Sequence, residues 1–463
     1  MRFDEHFIRG VISESSLVSN TFPKEPVFSI DSRTLKKGDI FIALEGKKFD
    51  GHTVISEVLK AGAAGVFLSS KKKKILDEID AKLLKNRLIV LVPDTLDALV
   101  KLASAWRAQF TSPVVAITGS IGKTSTKEMM ANILQLHGMQ HTISYGNQNT
   151  KIGLCLNILH MKASDEVAVF ELGISRRGEM AELVTILKPT TALITTVGHS
   201  HMEGLGSLAD IASEKRQVFK YFTEESIGII NGDLPILSDV GYDHPVIKFG
   251  SKTTNQVQAR KIHISNGHIS FVLKIYQEKY NVLLRNTHVG AVYNAIGAAV
   301  IGHILGIGHE IIVKGIEVPV IVSSRFEKLA IKNKRGVLIN DCYNASPESM
   351  KAALLALEHI DTDAKKIAVL GDMLELGVNS PFWHRQLGRI LRKASSLKHV
   401  ILVGDMVSWT KKTIPIGVAV EHVPDWKTAV KMLEDMIDRE SVVLVKASSD
   451  MKLSNLVTHF AEK

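Results

Sequence analysis

The stretch VVAITGSIGKTSTKEMM, Val114 to Met130, decides how this chain is read. VVAIT is a short, wholly apolar or β-branched run of the kind that fills a sheet covered on both faces, and KTSTKEMM begins a helix. A strand that passes through a glycine-bearing loop into a helix N-terminus aims backbone N–H groups at an anion. Lys123 adds a point charge for terminal phosphates, and Thr124 offers a hydroxyl to a phosphate-bound Mg²⁺. Gly119, Ser120, Gly122 and Ser125 complete the loop. The general GxxxxGK[ST] spacing is not met, because Ile117 stands where its first glycine belongs; the loop is the shorter TGxxGKT. The pattern predicts nucleotide phosphate binding, against the plainer alternative of a structural turn.

On the C-terminal side, EVAVFEL, TALITT and IGIIN are further apolar runs alternating with helical patterns, as in a mostly parallel sheet. Val257 to Arg285 alternates polar and apolar residues around Asn266-Gly267, which predicts a small antiparallel hairpin. On the N-terminal side, TLDALVKLASAWRAQF reads as an amphipathic helix that ends before Pro113. Before Pro93 lie VFSI, DIFIAL, HTVISEVLKAGAAGVFL and LIVLV, a smaller α/β pattern. From Ser323 onward GVLIND, IAVLGD, HVILVGD and VVLVKAS alternate with helices, and these strands end in Asp or Ser, where open α/β sheets hold ligands. The expected fold is therefore α/β with three domains: a smaller α/β domain over 1–93, a central phosphate-loop ATPase-type domain with a mostly parallel sheet over 94–322, and a Rossmann-like domain over 323–463.

The length agrees with about three domains at roughly 100 to 200 residues each. With 45% hydrophobic and 23% charged residues among 463, disorder and collagen-like structure are excluded. Fifty-seven Lys and Arg against 48 Asp and Glu leave a formal charge of +9, which points to anionic partners without choosing among them. The KKKK run, Lys71 to Lys74, has no aromatic or motif company, so a solvated helix start or loop is expected rather than a nucleic-acid patch. The two cysteines, Cys155 and Cys342, have no metal-type spacing and predict no disulfide. The N-terminus lacks the apolar core of an export signal, and the expected location is the cytoplasm. Val289 to His309 contains no Asp, Glu, Lys or Arg; its five glycines, Asn294 and His303 favour a buried helix over a membrane span.

Two side chains beyond the loop could reach a phosphate-bound metal. Glu171 follows one apolar run and His201 follows another, both at carboxyl ends of expected strands. A helix-capping Glu171 and a His201 satisfied by backbone remain equally open on spacing alone. Lys215, in DIASEKRQVFKYF, reads by itself as a solvated lysine.

Taken together, TGSIGKTS, FELGIS, GHSHMEGLGS, IASEKRQVF, VYNAIGAA and SSRFE resemble, in this order, the Mur ligases, ATP-dependent amide ligases that build the peptide stem of the bacterial cell wall. SIDSRTLKKGDIFIALEGKKFDGH, NDCYNASPESM and VLGDMLELG resemble the members that add D-alanyl-D-alanine to a UDP-N-acetylmuramoyl-tripeptide. The resemblance implies an acyl-phosphate mechanism, ATP, two Mg²⁺ sites, and a carbamate on Lys215. It implies Lys123, His201, Lys215 and Arg325 as catalytic residues, and Thr124, Glu171, His201 and Lys215 around the metal. Asn294, Arg325, Asp341, Tyr343 and Asn344 would join the phosphate loop in holding the nucleotide. Ser32, Arg33, Thr34, Gly46, Asp50, Gly51, His52, Asn147 and Asn149 would hold the UDP-sugar substrate. The implied enzyme is a monomer that inserts in no membrane and binds no nucleic acid. The sequence departs from the family pattern at HVGAVYN before Asn294, and at Thr150, Ser346, Ala447 and Ser449. The rival readings are a folate-type polyglutamate ligase, a phosphate-loop switch and a nucleic-acid binder.

Overall fold

A computed structural model describes residues 3–24, 26–265, 267–360 and 362–462. By packing, the chain forms two compact units: one of residues 1–116, 139–173 and 180–190, the other of 117–138, 174–179 and 191–463.

In the first unit, β1 (Ser16–Asn20), β2 (Phe28–Ser29), β3 (Ile40–Ile42), β4 (Gly65–Ser69) and β5 (Leu88–Val92) form one sheet in the order β1-β5-β4-β3-β2. Only β1 runs antiparallel to its neighbour. Phe41, Val66, Leu68, Ile89 and Leu91 point to one face and pack with Ile55, Val58 and Leu59 of the helix Ile55–Lys60, as the period-two and helical patterns demand. The helix Thr95–Ala108 starts at an Asp94 cap, whose carboxylate accepts Asp97 N–H. Its Arg107 guanidinium donates to the carbonyls of Leu187, Lys188 and Phe110, and Trp106 Nε1 donates to Met161 O, so the helix end is tied to backbone oxygens. The chain then enters β6 (Val114–Thr118); later β7 (His141–Ile143) pairs parallel with β8 (Val167–Glu171).

The second unit carries β9 (Thr191–Ile194), β10 (Ile227–Asn231) and β11 (Val246–Gly250), parallel in that order, with β12 (Val257–Ser265) parallel at its start to β11. β13 (His268–Ile275) and β14 (Glu278–Leu284) extend it antiparallel, giving the expected hairpin; Asn266 of its turn lies outside the described residues. The helix Gly290–Ile304 is buried along ten of its positions, because alanine and glycine let neighbours approach closely. Among the described residues no helix is long and apolar enough to cross a membrane.

The last segment holds β15 (Glu327–Ala330), β16 (Val337–Asn340), β17 (Lys366–Gly371), β18 (His399–Val403), β19 (Ala419–Val423) and β20 (Val442–Lys446), ordered β15-β16-β20-β17-β18-β19. All pairs but β15 with β16 are parallel. Ile367, Val369, Val443 and Val445 enter one core, while Ala368, Leu370, Val442 and Leu444 enter the other. Alternation within uninterrupted apolar strands thus fills both faces, which is why the segment is doubly wound. The expected α/β class with mostly parallel sheets is what the chain adopts. Cys155 and Cys342 are buried and free.

Candidate active site

In the second unit the phosphate loop is built as its glycines require. Gly119 and Gly122 have φ of +147° and +92°, and a Cβ on Gly119 would overlap Thr195 Oγ1, one on Gly122 the Asn294 amide oxygen. Ser120 N donates to Thr196 O at 2.8 Å, and its hydroxyl donates to Gly198 O at 3.1 Å and accepts Gly198 N–H at 3.0 Å. Thr195 Oγ1 donates to Ile121 O at 2.6 Å. The loop is therefore clamped by the segment that leaves β9, and Asn294 lies against its last glycine. The helix Lys123–His137 begins at once, with Lys123 Nζ turned back onto Gly119 O at 2.8 Å. Thr124 is buried, and Thr126 Oγ1 is buried with no hydrogen-bond partner.

Lys215, expected from its surroundings in sequence to be solvated, is only 2% exposed at the end of the helix Leu208–Arg216. Burial drives its ammonium well below the usual lysine range; nearby Lys123 adds to the shift, and Glu214 opposes it. The amphipathic reading failed here because one turn of the helix faces inward beside Lys123. His201 begins the short helix Met202–Leu205 with φ of +57°, a left-handed conformation uncommon outside glycine. Its Nδ1 lies 2.6 Å from Glu375 Oε2. The contact with His201 holds the Glu375 carboxyl below its usual range despite partial burial.

The nucleotide candidates gather after a turn strained at Ser324 and Phe326, with φ of 60° and 54°. The Arg325 guanidinium carbon sits 3.9 Å from the centre of the Tyr343 ring. Asp341 accepts Phe326 N–H at 3.1 Å through Oδ1, while Oδ2 pairs at 2.7 Å with Lys446 Nζ. Lys446 is 2% exposed and also donates to Asn344 O at 2.9 Å. Ser346 caps the helix Pro347–Glu358 in a capping box with Ser349, a local reason for serine there.

The first unit holds the remaining candidates. Arg33 is exposed and forks onto Asp31, whose carboxyl it pulls down to about 2. Ser32 and Thr34 lie in the same turn, where Thr34 N donates to Asp31 O. Gly46 N donates to Phe49 O, and Gly51 packs so closely on Leu44 that a Cβ would lie 3.0 Å from its carbonyl oxygen. His52 is buried, with Nδ1 on Asp50 at 2.7 Å and Nε2 accepting Ser69 N–H at 3.0 Å, so both ring nitrogens serve the loop's own frame. Burial raises the Asp50 carboxyl, but hydrogen bonds from Lys72 and His52 outweigh it and bring it down to about 2. Lys72, one of the KKKK run, reaches Asp50 and Glu45 at 2.6 Å each. That lysine braces a loop rather than merely facing solvent. Buried Glu171 accepts the Asn149 amide at 2.7 Å, and its N–H donates to Ser144 Oγ at 3.0 Å; Asn149 thereby orients the carboxylate, while its own N–H donates to Asn147 O at 2.7 Å.

Reasoning from sequence did not single out Lys72, His199, Glu348, Glu375 or Lys446. Lys72, His199, Glu348 and Glu375 stand inside KKKK, GHSHMEGLGS, NDCYNASPESM and VLGDMLELG, and Lys446 closes the apolar run VVLV, but nothing local marks their partners. Among the described residues no group of three or more His, Cys, Asp or Glu side chains could hold a metal.

Residues 117–302 match the Mur ligase middle domain, 324–449 the Mur ligase glutamate ligase domain, and 27–107 the Mur ligase family catalytic domain. A UDP-N-acetylmuramoyl-tripeptide--D-alanyl-D-alanine ligase of Bacillus subtilis (strain 168) is 33% identical over 436 residues, 93% of this chain and 92% of that protein. The chain belongs to the Mur ligase family. Among solved Mur ligases, MurF from Acinetobacter baumannii superposes with a TM-score of 0.85 at 26% identity, covering 99% of this chain and 98% of that one. MurF ligase from Thermotoga maritima, solved in complex with ADP, gives 0.77 at 28% identity, covering 94% and 96%.

Proposed function

We propose that this chain is an ATP-dependent amide ligase that joins D-alanyl-D-alanine to a UDP-N-acetylmuramoyl-tripeptide, forming the pentapeptide precursor of peptidoglycan. The observation that carries the reading is the phosphate loop with Lys123 beside the deeply buried Lys215, in a chain whose relatives of that name align over 93% of its length. Residues 1–93 take the UDP-sugar, 94–322 the ATP, and 323–463 the incoming dipeptide. The enzyme works as a monomer in the cytoplasm, where ATP is available.

The terminal carboxylate of the tripeptide attacks the γ-phosphorus, releasing ADP and leaving an acyl phosphate. The dipeptide amine then attacks the acyl carbon, and phosphate departs with one of the original carboxylate oxygens. Two anions meet in the first step, so positioning and charge neutralisation supply most of the acceleration. Lys123 and Arg325 supply positive charge, and the loop N–H groups orient the phosphates. Magnesium, when bound, would neutralise phosphate charge; Thr124, Glu171, His201 and Lys215 are the residues to hold or orient it. Burial pulls the Lys215 ammonium well below the usual lysine range and so favours the neutral amine, the state in which nitrogen adds to carbon dioxide, yielding an anionic carbamate and a proton. Lys446 fixes Asp341 for the ribose hydroxyls, and Tyr343 supports Arg325.

The purified chain releases phosphate from ATP at the rate of turnover only when UDP-N-acetylmuramoyl-tripeptide and D-alanyl-D-alanine are both present. Equal turnover with glutamate and a folate, and none with the UDP-sugar peptide, would overturn the assignment.

A further inference from the structure

The segment that clamps the phosphate loop is itself held by the last segment of the chain, at residues that no step above uses. Glu348, in the first turn of the helix Pro347–Glu358, places Oε1 2.5 Å from His199 Nδ1 and accepts His199 N–H at 3.1 Å. Its Oε2 is buried without a hydrogen-bond partner. Gly198 leaves room for it: a Cβ there would lie 2.9 Å from Glu348 Cδ. The other side of the His199 ring meets Trp383 of the helix Ser380–Ile390, with ring centres 4.2 Å apart. Further along, Glu203 N donates to Glu375 O at 3.0 Å. The segment 198–203 is thus fastened at both ends to the C-terminal α/β segment.

The fastening is one residue from the nucleotide loop. Gly198, flanking His199, exchanges both of its backbone groups with Ser120 Oγ. We propose that Glu348 is a positioning residue for ATP: through His199 and Gly198 it fixes Ser120, and so makes the geometry of the phosphate loop depend on the docking of the C-terminal segment. A carboxylate is the right group for this, because it accepts the backbone N–H and the imidazole at once, which alanine cannot. A small shift of a phosphate-binding loop is expensive in rate, since phosphoryl transfer depends on placement. The aromatic contact of His199 with Trp383 gives the arrangement a spectroscopic handle.

The inference rests on the ATP-using reading of the loop, and the experiment separates the two. Binding of ADP to the whole chain is measured by calorimetry for wild type, Glu348→Ala and Glu348→Gln, with steady-state KM values for each substrate. The chain is also labelled with 5-fluorotryptophan; its four tryptophans give resolvable signals, and Trp383→Phe assigns the relevant one. Glu348→Ala weakens ADP binding and raises the ATP KM by about tenfold, leaves the UDP-sugar KM unchanged, and moves the Trp383 signal as His199→Ala does. Glu348→Gln, which can still accept the His199 N–H, recovers most of the ADP affinity. ADP affinity in Glu348→Ala within about twofold of wild type, or a lowered melting temperature with every KM altered alike, overturns the inference. A wild-type chain that binds no ADP overturns instead the reading of the loop.

Discussion

Replacing Lys446 by methionine tests whether the buried pair on Asp341 stabilises the nucleotide edge of the C-terminal sheet. Methionine keeps most of the apolar stem but removes the ammonium that contacts Asp341 Oδ2 at 2.7 Å and Asn344 O at 2.9 Å. Breaking a buried pair by deleting one partner costs about 3 to 5 kcal/mol, because the other charge is left behind. Asp341 retains Phe326 N–H, and its side chain is 14% exposed against 2% for Lys446, so the loss belongs at the lower end, about 3 kcal/mol. Asp341→Asn strands the lysine instead and costs about 3 kcal/mol, again the lower end, since the ammonium still donates to Asn344 O. The double variant replaces the pair by neutral groups and costs less than the sum by at least about 1.5 kcal/mol. Urea unfolding followed by tryptophan emission is the assay, because Trp383, Trp409 and Trp426 all lie in this segment. Strictly additive losses, or a Lys446→Met cost below about 0.5 kcal/mol, would refute the argument.

Lys215→Ala is expected to abolish ligation, and millimolar formate to restore part of it by standing in for the missing carboxylate; full activity of the variant would remove Lys215 from the mechanism. The first unit carries an acid-sensitive loop, since the Asp50 carboxyl is brought to about 2 in the folded chain from an ordinary 3.8. The unfolded chain therefore binds more protons in that window, so the contribution is complete above pH 3.8 and is lost as pH falls through about 2. In an acid series of melting temperatures, wild type should lose its advantage over Asp50→Asn across that window, and parallel curves would contradict the assignment.

The fold was legible where burial enforces a period. The apolar runs at Val114, Val167, Thr191, Ile367 and Val442 became strands, because a sheet covered on both faces leaves no room for polar residues. The phosphate loop was legible from its glycines, which the left-handed φ at Gly122 and the contact of Gly119 with Thr195 require. Lys215 was not, because helical periodicity assigns a residue to a face without saying whether that face meets solvent or another layer. Glu348 and His199 stand 149 positions apart and Lys446 and Asp341 105, and no local pattern encodes such pairs. Asp50 and His52 carried the family motif for substrate contact, yet their side chains are engaged with Lys72 and Ser69, a framing role that only the three-dimensional arrangement reveals.

The measurement that bears most directly on the central claim follows oxygen atoms through the reaction. UDP-N-acetylmuramoyl-tripeptide labelled with ¹⁸O in its terminal carboxylate is ligated to D-alanyl-D-alanine with unlabelled ATP, and the released phosphate is analysed by mass spectrometry. Passage through an acyl phosphate requires each phosphate to carry one labelled oxygen, since the leaving oxygen came from the carboxylate. Phosphate released at the rate of ligation but free of label would contradict the account.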